Sequence, residues 1–167
     1  MPVLLGGLPA HPLFVHLPVV LVPLAAIGAL AMAVRPKWLR TFGPVVAALA
    51  GVGFIGAVIA ASTGEDLQET LRAGGKAIPS ALDDHAEMGD SAQLVVGVFF
   101  FLTLAWVAFS WWRNRVGEQR VTKAVRKPKL VAMVLAVLVV VSGVAATTSV
   151  TLAGHSGATS VWERNNP

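Results

Sequence analysis

The stretch LVAMVLAVLVVVSGVAATTSVTLAG, residues 130–154, runs for twenty-five positions without a formal charge. A helix that crosses the hydrocarbon core of a bilayer needs about 20 apolar residues. Nothing in the stretch alternates polar with apolar, as a half-buried strand would. It reads as a transmembrane helix, and three further runs match it. Pro12–Val34 and Thr41–Ser62 hold one histidine and no charge between them, and Leu94–Trp112 is likewise uncharged. With their flanks, the four spans fall at about 12–34, 41–62, 86–112 and 130–154.

Composition agrees. Of 167 residues 55% are hydrophobic and only 13% charged, against roughly 25% charged in a soluble domain. The expected fold is a single all-α membrane domain over residues 1–167, a four-transmembrane-helix bundle in up-down-up-down order, because short connections make consecutive helices antiparallel neighbours. A β-barrel is excluded by the absence of alternation. The first apolar run lacks a basic leading region and is too long for a signal sequence, so it is expected to remain as a span.

The charges are segregated. Arg35, Lys37 and Arg40 fall between spans one and two, and Arg113, Arg115, Arg120, Lys123, Arg126, Lys127 and Lys129 between spans three and four. The loop at 63–84 instead carries Glu65, Asp66, Glu69, Asp83 and Asp84 against Arg72 and Lys76. By the positive-inside rule the basic loops at 35–40 and 113–129 are cytoplasmic, so both termini and the acidic loop face outward. The net charge of +4 is then a topology signal and a secondary attraction to anionic lipid headgroups, not a nucleic-acid surface. The expected setting is the plasma membrane of a bacterium, with the lipid bilayer as first partner and an oligomer or larger membrane complex compatible with the pattern. Trp38, Trp111 and Trp112 suit an inner aromatic belt and Trp162 an outer one. In span two, Ala47, Gly51, Gly56 and Ala60 are small residues that let helices approach closely. In DLQETLRAGG, Leu67 and Leu71 form an i,i+4 pair before the Gly74–Gly75 stop, predicting a short helix on the outer surface.

The four histidines carry the functional signal. His11 and His16 open span one, His85 precedes span three and His155 follows span four. All four therefore belong to the outward end. At ~1.5 Å per residue, His11, His85 and His155 lie roughly 35, 40 and 38 Å from the cytoplasmic ends of their spans, and His16 at roughly 27 Å. An ionisable residue inside a span marks a functional site by default. There is no cysteine, which removes thiolate sites, iron–sulfur ligation and covalent haem attachment. Facing imidazoles in a bundle are ligands for haem or metal, so His11, His16, His85 and His155 are the candidates for both. Thr148 and Thr151 share a face with His155, ready to orient an imidazole or to bond their own i−4 carbonyls. Met88 and Gly89 lie one turn from His85, a thioether and a gap for a flat ligand or plain core residues. Glu65, Asp66, Glu87 and Asp90 are either orienting carboxylates or solvated charge. Pro12 suits a first helical turn, whereas Pro18 and Pro23 free the carbonyls of Phe14 and Val19.

The motifs also carry a resemblance. HP-x-x-x-H-x-P with His11, Pro12, His16 and Pro18, then Thr63, Gly64 and Asp66, then His85, then Gly154, His155 and Gly157 with Val161–Trp162, together resemble a family of bacterial four-helix predicted membrane proteins catalogued as a domain of unknown function. Ala158 stands where that pattern has a second glycine. The resemblance implies a redox role, since such proteins occur fused to or beside iron–sulfur and cytochrome c modules, and b-type haem is the cofactor it implies.

Three readings follow. The first is a haem b membrane protein passing electrons near the outer face, with quinone or other respiratory-chain subunits as partners and two of the four histidines as axial ligands. The second is a copper or zinc site of three or four imidazoles. The third is a structural or assembly subunit, or a pH-responsive element. No nucleophile elbow or H-E-x-x-H pattern is present, and enzymatic activity stays open.

Overall fold

The computed structural model describes residues 4–5, 8–75 and 80–165, with side chains described over 10–75, 80–117 and 120–159. A minimal antiparallel ladder, β1 (Leu4–Leu5) with β2 (Leu8–Pro9), precedes the first helix, and pairs Leu4 with Pro9 and Leu5 with Leu8. The other elements among the described residues are helical: α1 (Ala10–Val34), a 3₁₀ turn at Pro36–Trp38, α2 (Leu39–Ala73), α3 (Ser80–Val116), α4 (Glu118–Ala124) and α5 (Pro128–Asn165). Four of these helices are long and apolar enough to cross a membrane.

The four long helices close a ring, α1 on α2, α2 on α3, α3 on α5 and α5 back on α1. That is the expected up-down-up-down bundle, because each helix packs beside its chain neighbours. Val22, Ala25 and Ala29 of α1, Val46 and Ala50 of α2, Val96 and Phe99 of α3 and Val139 and Ala146 of α5 fill its axis. Small residues set the approach of the helices. An added Cβ on Gly53 would lie 2.9 Å from Val22, and one on Gly56 would lie 2.6 Å from Leu17 and 3.1 Å from Pro18. In lipid, where apolar surface gives no drive to associate, such close contact supplies the packing energy. The outside of the bundle is apolar too, with Ile27, Leu94 and Val144 more than 60% exposed, as a lipid-facing surface requires and a water-facing one avoids.

Two expectations are corrected. No separate surface helix forms in DLQETLRAGG: α2 continues unbroken from its apolar run to Ala73. Nothing between Ser62 and Gly74 breaks a helix, and Ser62, Thr63 and Thr70 turn their hydroxyls onto their own i−4 carbonyls. The stop itself is where expected, with Gly75 at φ 71°, a left-handed conformation open to glycine. The loop between spans three and four is likewise largely helical. α3 runs to Val116, Gly117 turns at φ 79°, and α4 follows before Pro128 opens α5. Arg35 and Arg115 lie over the Trp38 and Trp111 rings at this basic end, while the Trp162 side chain lies outside the described residues.

Candidate functional site

The projecting ends of α1, α2, α3 and α5 meet at the histidine end of the bundle, and each contributes one part of a paired site. His11, in the first turns of α1, places Nδ1 2.7 Å from the Ala60 carbonyl oxygen of α2. A carbonyl only accepts, so Nδ1 carries the proton and Nε2 keeps its lone pair. The ring rests on Gly64, where an added Cβ would sit 3.0 Å from Nδ1 and 3.1 Å from Cε1. Thr63 donates to the same Ala60 carbonyl at 3.1 Å.

His85 repeats this arrangement on the other two helices. Its Nδ1 lies 3.0 Å from Ser156 Oγ of α5, and Ser156 in turn donates to the Ala153 carbonyl at 2.9 Å. The serine proton is thus engaged, so the imidazole Nδ1–H donates to the serine oxygen and Nε2 is again the free nitrogen. The His85 ring rests on Gly157, where an added Cβ would sit 2.9 Å from Cε1 and 3.2 Å from Nε2. α1 and α3 are diagonal across the ring of helices, yet the two imidazoles meet with centroids 5.9 Å apart and planes at 78°. Burial, and after it the neighbouring His11 imidazole, hold His85 below the ordinary histidine value, against a smaller opposing effect of the Ala153 backbone. This residue lies before the apolar run, close in sequence to Asp83, Asp84, Glu87 and Asp90.

The other two histidines do not join. His16 is exposed and places Nδ1 2.7 Å from the Pro12 carbonyl of its own helix. Five residues from His11, it is turned by about 140° around α1. His155 is also exposed. Its neighbours Ser156 and Gly157 face His85, which leaves His155 rotated away by about 100°. Among the described residues no three histidine or acidic side chains converge as a metal-holding group, so the expected cluster of four reduces to a pair.

The remaining candidates take their plainer roles. Thr148 and Thr151 donate to their i−4 carbonyls, Val144 and Thr147. Met88 is 43% exposed, and Glu65, Asp66, Glu87 and Asp90 are exposed. Gly89 does face open space. Sequence reasoning missed Ser156 and the Ala60 carbonyl as the anchors of the two rings. The glycines just after each anchor, Gly64 one turn beyond Ala60 and Gly157 next to Ser156, were visible in the motifs, but not their purpose. Away from the pair, Asp83 of α3 accepts from both Arg72 (2.7 Å) and Gln68 of α2, tying the two extensions together.

Comparison with known proteins agrees with the fold. The family model described as "Predicted membrane protein (DUF2231)" matches residues 7–165, and the chain belongs to that family. No curated protein and no solved structure matches it.

Proposed function

We propose that this member of the family is a multi-pass cell-membrane redox protein that holds one b-type haem through His11 and His85 at the outward end of its bundle. The observation that carries the reading is the pair itself: two imidazoles from diagonal helices, each with Nδ1 anchored and Nε2 free. Metal-ligating histidines characteristically donate their second ring nitrogen to such an acceptor, which fixes the tautomer and raises ligand basicity. Ring centres 5.9 Å apart with planes at 78° bring the two imidazoles near enough to serve one shared group, and His11 and His85 are the residues that would hold it.

The number of donors separates haem from a bare ion. Structural zinc takes four protein ligands and catalytic zinc three, whereas the iron of haem b asks the protein for at most two. A pair without a third partner among the described residues therefore favours haem over the copper or zinc alternative. Haem ligated in this way supplies one-electron transfer at a potential set by its ligands and burial. The chain's own contribution is positional. Gly64 and Gly157 admit the rings, and the Ala60 carbonyl and Ser156 hydroxyl aim them.

Orientation follows from charge. The ten basic residues of the two loops lie at the opposite end from the pair, which supports a cytoplasmic basic end and outward termini. Electron partners on this reading are a membrane quinone or another respiratory subunit. The test is an absorption spectrum of the purified protein from haem-replete cells. A Soret band is expected, lost in His11→Ala and His85→Ala and retained in His16→Ala and His155→Ala. A wild-type protein without a Soret band, or loss caused equally by all four replacements, contradicts the proposal.

A further inference from the structure

The end of the bundle opposite the histidine pair carries charge that the chain itself leaves unanswered. Between Arg113 and Lys129 the sequence has seven cations and one acid, Glu118. Arg115, Arg120, Lys123, Arg126, Lys127 and Lys129 are exposed. Among the described residues the one ion pair, Arg72 with Asp83, lies at the other end. Sidedness in the membrane asks for cations in this connection, but it does not ask for them to be held in place. Here they are held. Gly117 turns the chain at φ 79°, Val121 is fully buried, and Pro128, itself buried, opens α5, so α4 is kept against the end of α3.

The cations gather in two groups at the ends of neighbouring helices. Arg113 and Arg115 stand in the last turn of α3, where positive charge suits the helix dipole. Arg126, Lys127 and Lys129 flank the start of α5, where positive charge is unfavourable, and the first turn of α5 contains no acid to offset them. α3 and α5 pack side by side, and apolar surface borders the charge. Arg115 lies over the Trp111 ring, 4.4 Å from its centre, and Trp111 and Leu130 are 58% and 45% exposed. A guanidinium resting on an aromatic face keeps N–H donors for a phosphate, which accepts two at once. Phosphate beside hydrocarbon is the chemistry of a phospholipid at the level of its headgroup.

We propose that this end binds one anionic phospholipid carrying two phosphate groups. One phosphate meets the α3 arginines, the other meets the basic start of α5, and the acyl chains lie along Trp111 and Leu130. Basic surfaces between spanning helices at the cytoplasmic end take headgroups of this kind. A zwitterionic lipid brings its own cation and leaves the cluster unneutralised. A soluble acidic partner answers the charge but leaves Trp111 and Leu130 uncovered. The inference uses no residue of the histidine pair and stands independently of the haem reading.

The test titrates the delipidated full-length protein, in neutral detergent, with cardiolipin, phosphatidylglycerol or phosphatidylcholine, and counts bound lipid by native mass spectrometry. One saturable cardiolipin is expected, held more tightly than phosphatidylglycerol, with no retention of phosphatidylcholine. Arg126→Gln, Lys127→Gln and Lys129→Gln combined should weaken it roughly a hundredfold, from the usual strength of three cations at a headgroup. The same change at Arg35, Lys37 and Arg40, on the other basic connection, should leave it nearly unchanged. The charge-keeping combination Arg126→Lys, Lys127→Arg and Lys129→Arg should retain the site, which separates lost charge from lost fold. No saturable cardiolipin, equal loss in both glutamine combinations, loss in the charge-keeping one, or displacement by an equal concentration of inorganic phosphate overturns the assignment.

Discussion

Gly157 and Gly89 make the residue-scale logic testable, because the two glycines share a helical setting and differ in what surrounds them. Alanine is favoured over glycine inside a helix by about 1 kcal/mol. At Gly89 nothing lies within reach of an added methyl, whereas at Gly157 it meets His85 Cε1 at 2.9 Å. Overpacking of that kind costs about 1–3 kcal/mol. Thermal unfolding of the haem-free protein in detergent is therefore expected to show Gly89→Ala neutral or stabilising and Gly157→Ala destabilising, with Gly64→Ala resembling the latter through His11. Equal effects at 89 and 157 would sink the idea that Gly157 exists to seat a ring. The residues of this site were only half legible beforehand. His11 and His85 could be named from the chain, but so could His16 and His155, since depth along a helix says nothing of azimuth. A backbone carbonyl such as that of Ala60 has no sequence signature at all, and Ser156 is meaningful only once α5 is known to face α3.

At the scale of elements, apolar length read the bundle correctly and charge misread its margins. All four spans were recognisable as uncharged runs, because bilayer thickness imposes a length that composition cannot hide. The polar turns after Ser62 looked like loop for the opposite reason: outside the bilayer, helix and loop have similar composition. What holds the α2 and α3 extensions upright is local, the Asp83 carboxylate shared by Arg72 and Gln68. The ion pair is exposed, with the Arg72 and Asp83 side chains 58% and 49% accessible, so it contributes no more than about 1 kcal/mol. Asp83→Ala is accordingly expected to leave global unfolding nearly unchanged while amide exchange over residues 65–73 accelerates several-fold. Unchanged exchange there would show that helix propensity alone sustains the extension.

For the whole molecule, the account joins a lipid-facing bundle to a site at one end, and both halves admit direct measurement. The chain contains no cysteine, so single substitutions at exposed positions of the acidic and basic ends, Glu69→Cys and Lys123→Cys, report sidedness without background. Impermeant maleimide applied to intact cells should label the first and spare the second; the reverse pattern would invert the bundle and place the histidine pair toward the cytoplasm. Membership of the predicted membrane protein family carries no chemistry for that end, and the proposed haem site rests on the pair of anchored imidazoles. Electron paramagnetic resonance of the oxidised, purified protein tests that claim most directly. A low-spin ferric signal of a bis-imidazole haem is expected, at one haem per chain, converting to high spin or vanishing when either His11 or His85 is replaced. A signal absent from the wild type, or one that survives both replacements, would contradict it.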